Sequence, residues 1–397
     1  MALILAAGCV ISSYATDARV IVMGRHDAFY RDEVSIFRNP ATVNQYPNMM
    51  LGSFGVYKPE GGNSGTEALE RTNRDPQKPY FGAIVSRLSR EPESHSGISF
   101  STVFNRYDEM LNFIDADSPE FRALHNSSVN LESPVGKVDL MLAYSLANGS
   151  TIGIGSYIAH QKIHRANKVE HHTGLYKGTI GVTLPLGPGM DFEASINGGI
   201  LQGKGKDRDS NEVKIADRDW FGRFDLRLFS SVPALNGSFV PQVTGRIVNL
   251  EDGRSLIRDI NAGIGLNLNI DRGFFWTGLQ GLYEYYDLNG KENEQSYGAR
   301  VSFGIERNIV WDWFLIRVGG QKEIWRTETA SDNKHWRENI EADGSDTDLV
   351  GLGFGINIDN RLRIDVVAAE DIVYTFTNLI SGPQYSLFNR VSATYSF

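Results

Sequence analysis

The chain has 397 residues, with 41% hydrophobic side chains, 22% charged side chains and a formal charge of -9. That length holds two or three ordinary domains or one large all-β domain, and the acidic balance excludes a general nucleic-acid binder. No run of about 18 apolar residues occurs, so a spanning α-helix is excluded beyond the extreme N-terminus, and the single cysteine, Cys9, excludes an intrachain disulfide framework.

In chain order, residues Ala2 to Ile11 are apolar and Ser13-Tyr14-Ala15 ends on a small residue. This reads as a secretory signal over 1–15, without a basic n-region and with Cys9 in the discarded peptide. Residues 16–48 follow, closing on Phe37, Arg38 and the turn Asn39-Pro40-Ala41. Asn39 precedes a proline and is held out of the helical region, while Pro40 fixes its own φ. Strands are expected at 49–57, 80–88 and 97–106, joined by a long loop (58–79), a shorter turn (89–96) and a second long loop (107–136). Met110, Leu111, Phe113 and Ile114 cluster in that second loop and form a candidate apolar capture surface.

Beyond residue 136 the pattern is period-2 alternation, the mark of a half-buried strand. Ile260, Ala262, Ile264, Leu266, Leu268 and Ile270 share one face, with Asp259, Asn261, Asn267 and Asn269 on the other. Val350 to Ile358 repeats the pattern. A soluble sandwich also alternates, but here the connections alternate in length too. Short ones, such as 147–149, 185–188, 271–273 and 359–360, take turns with long polar ones at 164–172, 202–218, 250–257, 287–295, 327–347 and 370–386. Short turns on one side and long loops on the other are the pattern of an outer-membrane barrel. Strands of about 9–13 residues suit a tilted crossing of a bilayer.

The expected fold is therefore all-β, a transmembrane antiparallel barrel spanning 49–397 with 16–48 as an N-terminal plug. Counting strands gives 16, and an even number leaves both termini on the short-turn, periplasmic side. Aromatics at strand ends suggest interfacial girdles: Trp220-Phe221, Phe274-Phe275-Trp276, Tyr283, Tyr285, Tyr286 and Trp311 to Phe314. Parity sends Arg223, Asp225, Arg227, Asp259, Arg300, Arg317, Arg363 and Asp365 to the lumen. Such charges either pair and fill a closed barrel or line a water channel.

Four histidines, His160, His164, His171 and His172, gather near one rim and read as interfacial and loop residues. No Gly-x-Ser-x-Gly elbow, P-loop or His-Glu-x-x-His motif occurs, so the reading is not an enzyme and names no catalytic residue, metal or cofactor. The chain closes on Tyr395 and Phe397, which resemble the terminal signal that the barrel assembly machinery reads.

Met23-Gly24, Ala28, Asp32, Ser35-Ile36-Phe37 and Asn39-Pro40-Ala41, followed at once by a strand, resemble the start of the FadL-type superfamily. That superfamily includes long-chain fatty-acid transporters and the PorV-like barrels of the type 9 secretion system. The resemblance covers about 30 residues and departs at Arg25-His26-Asp27, where small residues are usual. It implies 14 strands rather than 16, and a hatch formed by Phe37, Asn39, Pro40 and Ala41. It also implies inward movement of a hydrophobic small molecule across the bacterial outer membrane. Two alternatives are a PorV-like scaffold for secreted protein and a general porin. The expected partners are outer-membrane lipids, the assembly machinery, and a hydrophobic ligand or a secreted protein.

Overall fold

The computed structural model describes residues 17–24, 26–55, 79–88, 97–115, 121, 131, 134–164, 170–206, 212–289, 292–309, 311–330, 334–338, 351–368 and 388–397. The signal at 1–15 lies outside the described residues, as do most of loops 58–79, 89–96 and 370–386. The strands are β1 (Met49–Gly55), β2 (Tyr80–Leu88), β3 (Gly97–Phe104), β4 (Gly136–Ser145), β5 (Thr151–His164), β6 (Glu170–Gly187), β7 (Met190–Lys206) and β8 (Glu212–Val232). They continue with β9 (Gly237–Leu250), β10 (Ser255–Ile270), β11 (Gly273–Asp287), β12 (Glu294–Asn308) and β13 (Phe314–Thr329). β14 (Lys334–Glu338), β15 (Gly351–Ile358), β16 (Leu362–Ala368) and β17 (Phe388–Ser396) complete the sheet.

Every neighbour is antiparallel, and β17 pairs with β1 (Met49 opposite Ser396), which closes the sheet into a barrel. β14 and β15 both pair with β13, at Ile324–Glu328 and Phe314–Gly319 respectively, and share one place in the ring. The 17 strands thus make a 16-strand barrel, not the 14 that the superfamily resemblance implies. Tight turns sit at one end. The β15–β16 turn places Asp359 and Asn360 at φ 52° and 56°, the paired left-handed conformation that matches strand twist.

The wall is uneven. β5 to β13 run 14–21 residues each, whereas β1 to β4 run 7–10. Segment 202–218, expected as loop, is mostly strand, with Lys204 opposite Lys214 and Lys206 opposite Glu212. Backbone pairing does not need apolar side chains, so a charged, glycine-rich stretch still extends the ladder. The seams differ accordingly: β1–β2 has five paired positions and β7–β8 has 17.

Outward residues are apolar around the ring, including Phe54, Phe100, Leu142, Ile154, Ile180, Ile196, Phe224, Ile264 and Val301. This is the lipid-facing band of a transmembrane barrel. The aromatic runs do not all join it. Trp220, Trp311 and Trp313 face outward, but Phe221 and Trp276 are buried inside. Successive strand residues point to opposite faces, so adjacent aromatics cannot share one girdle.

Candidate functional site: a lumen filled from both ends

Residues 17–24 and 26–46 lie inside the barrel at the short-turn end, against β5, β6, β10, β11, β13 and β15. Helix α1 (Asp17–Val22) leads to single-turn helices at Glu33–Phe37 and Pro40–Gln45. Asn39 is extended (φ -129°) before Pro40, and its Oδ1 accepts from Ala41 N at 3.1 Å. Its Nδ2 donates to the Val182 carbonyl on β6 at 3.1 Å. Pro40 and Ala41 press against Gly153 and Asn39 against Gly181; a Cβ at either glycine would clash. Phe29 seats against Gly265 and Gly278 in the same way. The wall is hollowed where the plug touches it. Phe37 stands edge-on to Tyr80, with centroids 6.2 Å apart.

Wall side chains satisfy the plug's irregular backbone, as burial demands. Arg227 donates to the Asp27 and Tyr30 carbonyls at 2.8 and 3.0 Å, Asn267 to the Phe29 carbonyl at 2.6 Å, and Ala18 N donates to Ser392 Oγ at 3.1 Å.

Charges lock the same interface. Arg19 donates to both Glu306 oxygens (2.9 and 2.8 Å) and to Asp32 (3.2 Å). Glu306 also accepts from Arg317 at 3.0 Å, and Arg317 and Arg363 both meet Asp365, at 2.7 and 3.1 Å. Arg31 reaches Glu193 (2.6 Å) and Asp191 (3.1 Å), and Arg227 also holds Glu193 at 2.6 Å. Arg300 pairs with Glu323, and Arg223 with Asp225 at 3.0 Å. Arg223, Arg227, Arg300, Arg317 and Arg363 are thus each paired with a carboxylate, and Asp225 and Asp365 are buried.

Within the plug, burial pushes the Asp32 carboxyl up to about 7. Arg19 opposes that shift with only one of its nitrogens, since Glu306 takes two. His26 lies edge-on to Trp276 and Phe29, with Nε2 2.9 Å from Ser302 Oγ. Burial, assisted by Arg300, pushes it down to about 3. Burial raises the Asp27 carboxyl, but the guanidiniums of Arg38 and Arg227 hold it below its usual range.

The other half is filled from the long-loop end. After β3 the chain turns inward, and Asp108 caps a single-turn helix, Glu109–Phe113, by accepting from Met110 N at 3.1 Å. Met110, Leu111, Phe113 and Ile114 are buried against Tyr157, Leu175, Leu201 and Phe221. They are not an exposed capture surface. An apolar cluster reads the same in sequence whether it faces a ligand or a lumen. Arg106 pairs with Asp139 at 2.8 Å and lies 4.3 Å over the Phe37 ring, while Lys177 pairs with Asp108. Opposed by burial, Lys177 and Arg106 hold the Asp108 carboxyl well below the usual range.

Between plug and inward loop lies a cavity of about 310 Å³. The plug contributes Asp27, Val34, Phe37 and Arg38 to its wall. The loop contributes Arg106 to Met110, and the strands contribute Lys177, Asn197, Phe221, Arg223 and Arg246. Charges are plentiful but matched: Arg223 meets Glu109 at 2.7 Å, Arg246 meets Asp259 at 2.5 Å, and Arg38 meets Asp27 at 2.6 Å. Among the described residues, no group of three or more His, Cys, Asp or Glu side chains is arranged to hold a metal.

No family model and no curated protein matches the chain. Among solved structures it is similar to the TodX monoaromatic hydrocarbon channel in its deltaS2 mutant form (TM-score 0.40, 11% identity, covering 97% of this chain and 99% of that one). The deltaS2S3 mutant gives a TM-score of 0.39 at 11% identity, covering 96% and 99%. OmpTdeltaL8, an outer membrane protein of Vibrio cholerae, gives 0.37 at 7% identity, covering 88% and 97%.

Proposed function

We propose that this barrel is an outer-membrane uptake channel, closed at rest, with residues 16–48 as its hatch and both termini in the periplasm. The observation that carries the reading is the 310 Å³ cavity in the lumen, lined on one side by the N-terminal segment and on the other by the inward loop. Two stoppers in series let one open while the other stays shut. Phe37 borders the cavity directly, and Asn39, Pro40 and Ala41 form the turn that anchors the hatch to β5 and β6. The superfamily resemblance of that turn favours a hydrophobic cargo. The wall adds a condition: Phe37, Met110 and Phe221 suit an apolar body, while the cations around them already hold carboxylates of the wall, plug and loop.

The test pairs two measurements on the native chain and on a variant lacking 17–46. Uptake of a labelled fatty acid into cells should depend on the native chain, and planar-bilayer current should be near zero for the native barrel but stepwise for the variant. Native channel steps would favour a general porin. A closed barrel with no uptake of any apolar probe would favour the second reading, a sealed PorV-like scaffold that presents its loops to a secreted protein. The ion pairs that fix the hatch support that second reading.

A further inference from the structure

The charges on the cavity wall are matched with one another or with carboxylates just behind it. Arg223 is engaged at every nitrogen. Its Nε and Nη2 donate to Asp225 at 3.0 and 3.1 Å, and its Nη1 donates to Glu109 at 2.7 Å. The Tyr107 hydroxyl donates to Asn112 at 2.9 Å. Asn197 is the exception. It lines the cavity from β7 and is 9% exposed, yet its amide has no hydrogen-bond partner among the described residues.

Buried polar side chains nearly always find a partner, so an amide left open at a cavity wall asks for one. Asn197 stands in register between Thr179 on β6 and Arg223 on β8, and Arg223 has no nitrogen to spare. Two positions along the same inner face is Gly199. The Phe221 ring from β8 lies across it, where a Cβ would meet the ring at 2.7 Å. The buried Leu201 comes next on that face. The inner side of β7 therefore presents an open amide followed by an apolar surface.

An amide carries an acceptor and a donor side by side. The group that satisfies both at once also carries both: a primary amide or a protonated carboxyl. An ionised end would give up its water and find the charges of the wall already paired, which is costly in a closed space. We propose that Asn197 sets the specificity of the cavity, pairing through both atoms of its amide with an uncharged amide or carboxylic-acid end on an apolar body that lies along Phe221. At about 310 Å³ the cavity is at the small end for ligand pockets, which suits a compact cargo. A fatty acid meets the requirement in its protonated form, an amide at any pH. The inference rests on the uptake reading, since it concerns the same cavity.

The experiment uses the full chain, folded in detergent and checked for a heat-modifiable band. Decanamide, decanoate and undecane are offered in turn by equilibrium dialysis against the same detergent, at about pH 8, where the acid is ionised. Decanamide should bind most tightly. Asn197→Leu should weaken decanamide binding by about 30-fold, the loss of two hydrogen bonds of ordinary strength, and leave undecane binding unchanged. Asn197→Ala, which removes the amide without adding bulk, serves if the leucine variant does not fold. Decanamide bound equally by the native barrel and a folded variant would overturn the proposal, as would decanoate bound as tightly as decanamide. Either result leaves the uptake reading standing. Decanamide held through Asn197 by a barrel that carries nothing into cells would support the site and refute uptake.

Discussion

Glu306 on β12 is where the proposed hatch is best tested by a single substitution. Its carboxylate accepts from Arg19 at 2.9 and 2.8 Å and from Arg317 at 3.0 Å, and it lies 3.5 Å from Arg363. The local set is three guanidiniums, Arg19, Arg317 and Arg363, against three carboxylates, Asp32, Glu306 and Asp365. Above about pH 7, where Asp32 is ionised, Glu306→Gln preserves shape and leaves one surplus buried cation. Stripping one partner from a buried pair costs about 3–5 kcal/mol. Arg317 and Arg363 are fixed on strands, so the surplus is relieved when Arg19 leaves with the plug. The docked-to-released ratio should therefore fall by roughly 10² to 10⁴-fold, at about 1.4 kcal/mol per tenfold. Planar-bilayer recording reads the release as stepwise current, and the heat-modifiable band shows that the barrel is folded. A folded Glu306→Gln barrel that stays as silent as the native one would refute the idea that this network holds the hatch.

Three other outcomes are expected. Gly278→Val sets a branched side chain against the Phe29 ring and should loosen the plug by about 1–3 kcal/mol, whereas Gly178→Ala, with open space at its Cβ, should be neutral in the same denaturant titration. His26, lowered to about 3, supplies plug stability that is present above its unfolded value of about 6.5 and lost as pH falls toward 3. Asp32, raised to about 7, supplies stability that is present below about 3.8 and lost as pH rises toward 7. The two slopes oppose each other between about pH 4 and 6.5, so native docking should be nearly flat there. His26→Asn should leave docking that weakens with rising pH, and Asp32→Asn docking that weakens with falling pH; two flat variants would contradict the assignment. Phe397 is exposed, and its amide donates to the Asn48 carbonyl at 3.0 Å. If Tyr395 and Phe397 form an assembly signal, Phe397→Ala should lower the amount of heat-modifiable barrel in membranes several-fold, and an unchanged amount would remove that role.

The barrel itself was legible because lipid on one face and a polar lumen on the other force a two-residue period, and the loop lengths then distinguish the two ends. Sixteen strands follow from that count. The overrun of β7 and β8 was not legible, because Lys204-Gly205-Lys206 carries no apolar signal and yet continues the backbone ladder. Nor were the partners of the plug. Arg19 and Glu306 are 287 positions apart, and nothing local in either segment points to the other. The inward turn of Met110 to Ile114 was hidden for a different reason: hydrophobicity states what leaves water, not where it goes.

A closed ring under load opens at its weakest joint, and here the joints are far from equal. The five-position β1–β2 seam is the short link in a hoop whose β7–β8 seam is held by 17. Tyr46 and Ile36 of the plug pack beside that link, against Met49, Leu51, Tyr80 and Ile84. The N-terminal segment therefore braces that seam. Pulling the barrel apart, or diluting it into denaturant, should unzip it from β1–β2 outward, and sooner once the brace is gone.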